Sequence, residues 1–510
     1  MRRASDFDRL GLRNHLGNNR RLEIILAKNN ERQIVIGELM ETSGVRFGTS
    51  GARGLAVDMN PEVCFAYATA FLQAISATSG RVALAIDLRP SSPGIAAACA
   101  AAIRHAGLEV DYCGAIPTPA LAYYAQIRGV PAIMVTGSHI PFDRNGIKFY
   151  RVSGEITKTD ESRISSAVVN LPSEGLVTDL PDINPDAHQC YIDRYRRFFP
   201  EKCLAGMSLG FYEHSSVARD LLREILEALG ARVISLGRTD AFVPIDTEAV
   251  NEEDIQRAHE WAGQYGFDAI LSTDGDADRP LVGDERGQWL RGDVAGILCA
   301  QYLGAQEVVT TVSCNTAVEL CGSFDSVVRT RIGSPYVIEA MENLAKERGR
   351  KVVGFEPNGG FLVGSALQKA GRTLEPLLTR DAVLPILCLL SSAMEQGGRL
   401  SGLSCALPPR FTASDRLQNF PTETSRKLIL DLAASSAAID DLLGNVCGTL
   451  TRLDQTDGLR ITFANGDVVH FRPSGNAPEL RCYAESGSQD RAWELVREAL
   501  QRFKLLAERA

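Results

Sequence analysis

The stretch STDGDADRP at 272–280 sets three carboxylates at alternate positions, Asp274, Asp276 and Asp278, with Arg279 directly after them. Carboxylates this close repel one another unless a cation sits among them, and hard divalent ions prefer such oxygen donors. The spacing therefore points to a divalent-metal loop, with a solvated acidic turn as the plain alternative. A calcium loop is rejected. Glu285 falls at its twelfth position, but Arg279 stands at the sixth, where glycine is needed, and the approach FDAILST reads as a strand rather than a helix. A nucleophilic aspartate of an aspartyl-phosphate enzyme remains an alternative use of the same loop.

Three more loops carry candidate chemistry. In TGSHIPFDRNGIKFY (136–150) Ser138 follows a glycine at the end of a strand, with His139 beside it. A serine so placed can be a nucleophile with a neighbouring base, or simply part of a polar turn. The context is not G-x-S-x-G, so a nucleophile elbow is disfavoured. Lys148, ten residues on, can return to the loop as a phosphate partner or stay on the surface. In GFEPNGG (354–360) Glu356 projects from a loop with two glycines and can accept from sugar hydroxyls or from water. In RPSGNAPELR (472–481) Arg472, Ser474, the amides near Gly475 and Asn476, and Arg481 can form an anion cradle. Arginine suits phosphate because its planar fork donates two bonds at once.

Each loop must be held by something. RVALAIDLR (81–89) is apolar and then charged, a buried strand. SSPGIAAACAAAIRHAG follows as a helix with Ser92 at the N-cap, Pro93 in its first turn and Gly107 at its end. EVDYCG and PAIMVTG (131–137) complete a βαβ pattern. The pattern restarts at MSLGFYEH (207–214) and again at EVVTTVSCN (307–315), giving three related α/β units. The candidate loops follow strands, where open α/β sheets place their ligands. Beyond about 400 the grammar changes. SGLSCALPPRF reads as a linker, SRKLILDLAASSAAIDDLLG as helix, LRITFANGDVVHFRP as two strands about a type I′ turn at Asn465-Gly466, and DRAWELVREALQRFKLLAE as a closing amphipathic helix. At the other end RLEIILAKNN could form a short helix within a polar N-terminal stretch.

The whole chain has 510 residues, 45% hydrophobic and 23% charged, which excludes a disordered tail, a collagen and a coiled coil. At about 150 residues per domain the length suggests three to four. Lys+Arg 54 against Asp+Glu 63 leaves a net charge of −9, a poor basis for nucleic-acid binding by bulk charge. The 12 cysteines form no dense framework and no CxxC, so neither disulfides nor structural zinc is expected. Cys99, Cys113, Cys299 and Cys321 lie in apolar surroundings and are expected in the core. The start MRRASDFDRLG has no apolar h-region, and no run reaches about 18 apolar residues, so no membrane span is expected and the expected setting is a reducing cytoplasm.

Taken in this order, and with RFGTSGARG (46–54) ahead of them, the four loops resemble those of the α-D-phosphohexomutase superfamily over about residues 45–510. The resemblance implies three related mixed α/β domains plus a smaller C-terminal α+β lid around a central cleft. The divisions expected are 41–190, 191–292, 293–405 and 406–510, behind an N-terminal extension at 1–40. The implied activity moves phosphate between the 6- and 1-positions of a hexose through a phosphoserine and a bisphosphorylated sugar. Matched residue by residue, Ser138 would carry the phosphoryl group. Asp274, Asp276 and Asp278, with a phosphoserine oxygen, would bind Mg²⁺. Arg53, His139, Lys148 and Arg279 would surround the transferring group, with His139 the candidate base. Glu356 would hold sugar hydroxyls within the loop that includes Asn358. Arg331 and Gly333 of RTRIGSPY (329–336) would line the sugar. Arg472, Ser474, Gly475, Asn476 and Arg481 would grip the non-reacting phosphate.

The pattern is not matched throughout. Ile140 stands where Asn usually follows Ser-His. Asn358 and Gly360 replace the Ser and His of Glu-x-Ser-Gly-His, and Asn476-Ala477-Pro478 replaces Thr-Glu-Pro. The serine, metal and arginine chemistry survives these changes, and sugar preference is what they touch. The expected partner is a small sugar phosphate, with mannose phosphates first, glucose phosphates second and glucosamine phosphate as alternative. A hexose 1,6-bisphosphate serves as intermediate and activator. No nucleic acid and no membrane is expected, and the chain is expected to be a monomer or homodimer. A metal-dependent phosphatase using Asp274 or Asp276, and a sugar-phosphate-binding protein without turnover, are the competing classes.

Overall fold

Runs that are apolar at nearly every position, RVALAI at Arg81–Ile86 and AIMV at Ala132–Val135, make strands covered on both faces, which requires helices on each side of their sheet. The computed structural model, which describes residues 31–48, 51–77, 80–397, 399–474 and 478–508, builds them so.

Three sheets repeat one plan. In the first, Glu109–Ala115, Arg81–Ile86 and Ala132–Val135 run parallel, and Arg144–Arg151, Ala52–Leu55 and Arg46–Phe47 extend the sheet antiparallel. In the second, Arg232–Leu236, Ser208–Tyr212 and Ala269–Thr273 are parallel and Pro280–Gly283 is antiparallel. In the third, Ser326–Thr330, Glu307–Thr311 and Val352–Phe355 are parallel, with Phe361–Val363 and Leu377–Asp381 antiparallel. Each time, the last parallel strand turns back into its antiparallel neighbour through a polar loop. Those loops are the serine loop, the aspartate loop and the Glu356 loop. One topological position, used three times, carries the candidate chemistry at the carboxyl ends of parallel strands.

A single core runs through these three units and includes Tyr195, Phe211, Leu298, Phe355 and Leu387. Burying a side chain of this size contributes about 1.5–3 kcal/mol, so a core shared across units holds their loops in fixed relation. The fourth unit is an antiparallel five-stranded sheet in the order Phe411–Leu417, Leu480–Ser486, Val468–Pro473, Leu459–Phe463, Leu450–Asp454. It has its own core around Ile461, Phe471 and Phe503. The helix Gln489–Ala507 closes it, burying Ala492, Leu495, Val496, Ala499, Leu500 and Phe503 at helical spacing, with the Ser488 hydroxyl accepting from the Arg491 amide.

Several expectations change. Residues from Glu31 on are part of the first unit: Glu31–Val35 pairs with Val168–Pro172, and Ile36 and Leu39 are buried, so a separate extension does not reach residue 40. The short helix expected over 21–30 lies outside the described residues. Ser91, not Ser92, is the N-cap of Ser92–His105, because the Ser92 hydroxyl donates instead to Asp87 at 2.6 Å. The linker at 401–411 begins as the helix Leu400–Cys405. At the Asn465-Gly466 hairpin only Gly466 has positive φ, at 85°, and pairing resumes at Phe463 and Asp467. That is a three-residue loop with a glycine bulge, not a type I′ turn. All 12 cysteines are free, and Cys321 is half-buried rather than in the core. Among the described residues no helix is long and apolar enough to cross a membrane.

Candidate active site

The serine loop hangs on one buried arginine. Arg89, 1% exposed, leaves the strand Arg81–Ile86 and donates to the carbonyls of Ser138 (2.9 Å), Ile140 (2.6 Å), Pro141 (2.7 Å) and Arg144 (2.8 Å). Asp87 balances its charge at 3.2 Å and accepts from the Gly137 amide. Gly137 cannot be larger: a Cβ there would lie 2.5 Å from the Arg89 guanidinium. Ser138 follows in the left-handed region, φ 53°, fully buried, a conformation that costs a non-glycine residue energy and recurs at functional sites.

The Ser138 hydroxyl points at the aspartate loop and donates to Asp274 Oδ2 at 2.5 Å. The His139 Nδ1 atom is 3.4 Å from the same hydroxyl. Asp274 Oδ1 accepts from the amides of Asp278 and Arg279, which folds the loop on itself. Lys148 Nζ reaches Asp276 at 2.7 Å and Asp278 at 2.8 Å, so it neutralises the carboxylates it was expected to accompany. From the first unit, the Thr118 hydroxyl also donates to Asp276, at 2.6 Å.

Arg380 joins the third unit to this cluster. It donates to Asp278 Oδ2 at 2.8 Å and to Glu356 Oε2 at 3.0 Å, with all three side chains buried. Gly360 makes room for it, since a Cβ at 360 would lie 2.4 Å from Arg380 Cδ. The His of the usual loop pattern is thus replaced by a glycine and a crossing arginine.

The three aspartates fit a hard cation. One oxygen from each can be chosen so that all lie within 4.8 Å of one another, and Oδ1 of Asp276 and of Asp278 are buried without a hydrogen-bond partner among the described residues. Burial, then Asp276 and Asp278, pushes the Asp274 carboxyl well above its usual range. Against burial, Arg380, Lys148 and Arg279 hold Asp278 well below its own. Burial, then Arg279 and Arg380, lowers Arg53 to about 10. Arg279, then burial and Arg53, drops His139 to about 2, so its ring is neutral.

The last unit contributes on two sides. Arg481 shares a cavity of about 420 Å³ with His139, Arg279, Glu248, Arg416 and Tyr483. Arg472 lies in another, of about 500 Å³, with Arg331, Lys158, Asp457 and Gly48. Asp457 binds Arg472 at 2.9 Å and the Ile332 amide at 3.0 Å, and Arg331 donates to the Thr456 carbonyl. Gly333, φ 131°, opens the helix Ser334–Arg348, and the Ser334 hydroxyl donates to Glu155 of the first unit at 3.0 Å. Asn358 is buried against Gly360, and Ser474 is buried beside Arg472. Gly475 and Asn476 lie outside the described residues. Ser138, the aspartates, Arg53, His139, Lys148, Arg279 and Glu356 therefore converge, whereas Arg472 and Arg481, expected at one phosphate, line two different cavities, Arg472 with Arg331 and Arg481 with His139 and Arg279.

Sequence profiles of the phosphoglucomutase/phosphomannomutase domains match in order: alpha/beta/alpha domain I at 44–173, domain II at 190–287, domain III at 291–411 and the C-terminal domain at 417–501. The chain belongs to the phosphoglucomutase/phosphomannomutase family. A phosphomannomutase from Salmonella muenchen is 48% identical over 473 residues, 92% of this chain and 97% of that one. A phosphoglucosamine mutase from Symbiobacterium thermophilum is 31% identical over 381 residues, 70% of this chain and 80% of that one. The solved structure of a phosphoglucomutase/phosphomannomutase family protein from Burkholderia thailandensis shares the fold, with a TM-score of 0.69 at 20% identity over 90% of this chain and 97% of that one.

This phosphohexomutase uses residues that the motifs do not contain. Arg89, Thr118, Asp457 and Arg380 hold the loops from distant positions in the chain. Arg89 and Arg380 left traces in sequence, as the charged exit of RVALAIDLR and as an Arg-Asp pair ending the strand Leu377–Asp381.

Proposed function

We propose that this phosphohexomutase interconverts mannose 6-phosphate and mannose 1-phosphate, with phosphorylated Ser138 as donor and a hexose 1,6-bisphosphate as intermediate. The observation that carries the proposal is the buried Ser138 hydroxyl, 2.5 Å from Asp274, beside a cluster of carboxylates paired with cationic side chains. The nearer likeness to a phosphomannomutase than to a phosphoglucosamine mutase supports mannose as the sugar.

Phosphoryl transfer rests on positioning and charge neutralisation. Asp274, Asp276 and Asp278, with an oxygen on Ser138, would hold Mg²⁺, which when bound withdraws charge from phosphoryl oxygens. Counted formally, Asp274, Asp276, Asp278 and Glu356 face Lys148, Arg53, Arg279 and Arg380, so the protein itself is balanced there. With Mg²⁺ held by the three aspartates, the site would carry an excess of two positive charges, which a dianionic phosphoryl group would match. The Ser138 Oγ–P bond breaks as the sugar hydroxyl oxygen bonds to phosphorus. The sugar hydroxyl's proton ends on Ser138 Oγ, so the step exchanges one phosphoryl group for one proton between the two oxygens. After the bisphosphate turns within the cleft, the same step in reverse returns the other phosphoryl group to Ser138. His139, neutral and with so little proton affinity, orients the Ser138 oxygen rather than storing its proton. Arg472, fixed by Asp457, anchors the phosphate that is not reacting.

The test is incubation with mannose 1-phosphate, Mg²⁺ and a trace of hexose bisphosphate. Mannose 6-phosphate should form without matching free phosphate; stoichiometric free phosphate would mean a phosphatase. Ser138→Ala should lose at least about 10⁴-fold in kcat while binding substrate normally. Activity should vanish on chelation and return with Mg²⁺.

A further inference from the structure

One carboxylate in the cleft is used by nothing described so far. Glu248 sits on the loop that enters the helix Glu252–Tyr265. Its surroundings are fixed on both sides. Ile245 is fully buried in the small core of the second unit. The Thr247 hydroxyl, itself buried, donates to the Asn358 carbonyl of the sugar loop at 2.7 Å. Asp246 accepts from the amides of Glu248 (3.0 Å) and Ala249 (3.3 Å). The Glu248 carboxylate itself has no hydrogen-bond or ion-pair partner among the described residues. It lines the cavity of about 420 Å³ that also holds His139, Arg279 and Arg481.

A carboxylate short of donors, on a loop held by these contacts, in a cavity of about 420 Å³, is matched by a ligand that brings O–H groups. Burial, then Asp246, raises the Glu248 carboxyl, and Glu356 adds to the push while Arg279 and Arg291 oppose it. Glu248 thus feels the charge of Glu356 from a different unit. The sugar loop lacks its usual Ser and His, so hydroxyl recognition has to come from elsewhere, and Thr247 ties Glu248's own loop to that site.

We propose that Glu248 is a sugar-binding residue that accepts a hydrogen bond from a ring hydroxyl on the side of the hexose away from Glu356, and so takes part in choosing the sugar. This rests on the mutase reading above. The test compares wild type with Glu248→Gln and Glu248→Ala on mannose 1-phosphate and its 2-, 3- and 4-deoxy analogues. Turnover is read as kcat and KM, and the analogues are also read as competitive inhibitors. Glu248→Ala should lower kcat/KM for mannose 1-phosphate about 10- to 100-fold. At least one deoxy analogue, lacking the partner hydroxyl, should bind variant and wild type within about twofold. An equal loss for every analogue would make Glu248 an interdomain ion-pair former with Arg416 or Arg481 and overturn the proposal, as would a loss below about threefold on the parent sugar. A wild type that does not isomerise mannose 1-phosphate would sink the mutase reading instead; the inhibition constants would still decide the role of Glu248.

Discussion

Arg380 does at one position what neither a lysine nor a histidine can. Its fork donates to Asp278 of the second unit and Glu356 of the third, both buried, and its stem occupies the space that Gly360 leaves. Arg380→Lys keeps the charge and loses the fork. One carboxylate is then left short of a donor, and kcat/KM should fall about 10- to 100-fold. Gly360→Ala should act through the same arginine, since its methyl would force the stem aside. Because both changes act on one contact, steady-state kinetics of the double variant should show a loss close to that of the worse single variant. Losses that multiply would separate the two residues.

At the scale of elements, the repeated turn from last parallel strand to antiparallel neighbour explains what could be read from sequence. Three apolar runs each ending in a polar loop located Ser138, the aspartates and Glu356, because strand, loop and ligand position are consecutive in the chain. What holds those loops was not legible. Arg89 precedes Ser138 by 49 residues, Thr118 precedes Asp276 by 158, and Arg380 follows Asp278 by 102. No periodicity or local spacing links such pairs. The local misreadings have local competitors as causes. Asp87 takes the Ser92 hydroxyl away from the helix cap, and strand pairing that resumes at Phe463 and Asp467 widens the Asn-Gly turn. The Arg89 support yields a prediction at this scale. Arg89→Met leaves Asp87 buried without its cation and takes a donor from each of four carbonyls, and should destabilise by about 3–5 kcal/mol. Asp87→Asn with Arg89→Met removes the stranded charge, so denaturant unfolding should find the double variant more stable than Arg89→Met alone. The reverse order would show that the lost carbonyl contacts, not the charge, dominate.

Across the whole molecule, two histidines in different cores couple the fold to pH. His214 lies behind the aspartate loop and donates from Nε2 to the Thr273 carbonyl at 2.9 Å; His470, in the fourth unit, donates to the Asp457 carbonyl at 2.6 Å. Both rings are buried, and each Nδ1 lacks a partner among the described residues. A proton arriving there would be a buried, unpaired charge, so burial lowers each from 6.5 to about 4. The unfolded chain binds these protons from about pH 6.5 downward and the folded chain only near pH 4. Stability contributed by each ring is therefore intact above pH 6.5 and lost as pH falls towards 4, by of order 3 kcal/mol per histidine. Asp87, Glu248 and Asp274, pushed up by burial, titrate with the opposite sign. The measurement that isolates the histidines is consequently a difference. Unfolding free energies of wild type, His214→Gln and His470→Gln at pH 7.5 and pH 4.5 share the carboxyl contributions, and each variant should lose less stability than wild type between the two. Because the last unit has a core of its own, His470→Gln should act on the transition of that unit and His214→Gln on that of the first three. Parallel curves for wild type and both variants would mean that the rings take up protons in the folded state as readily as in water.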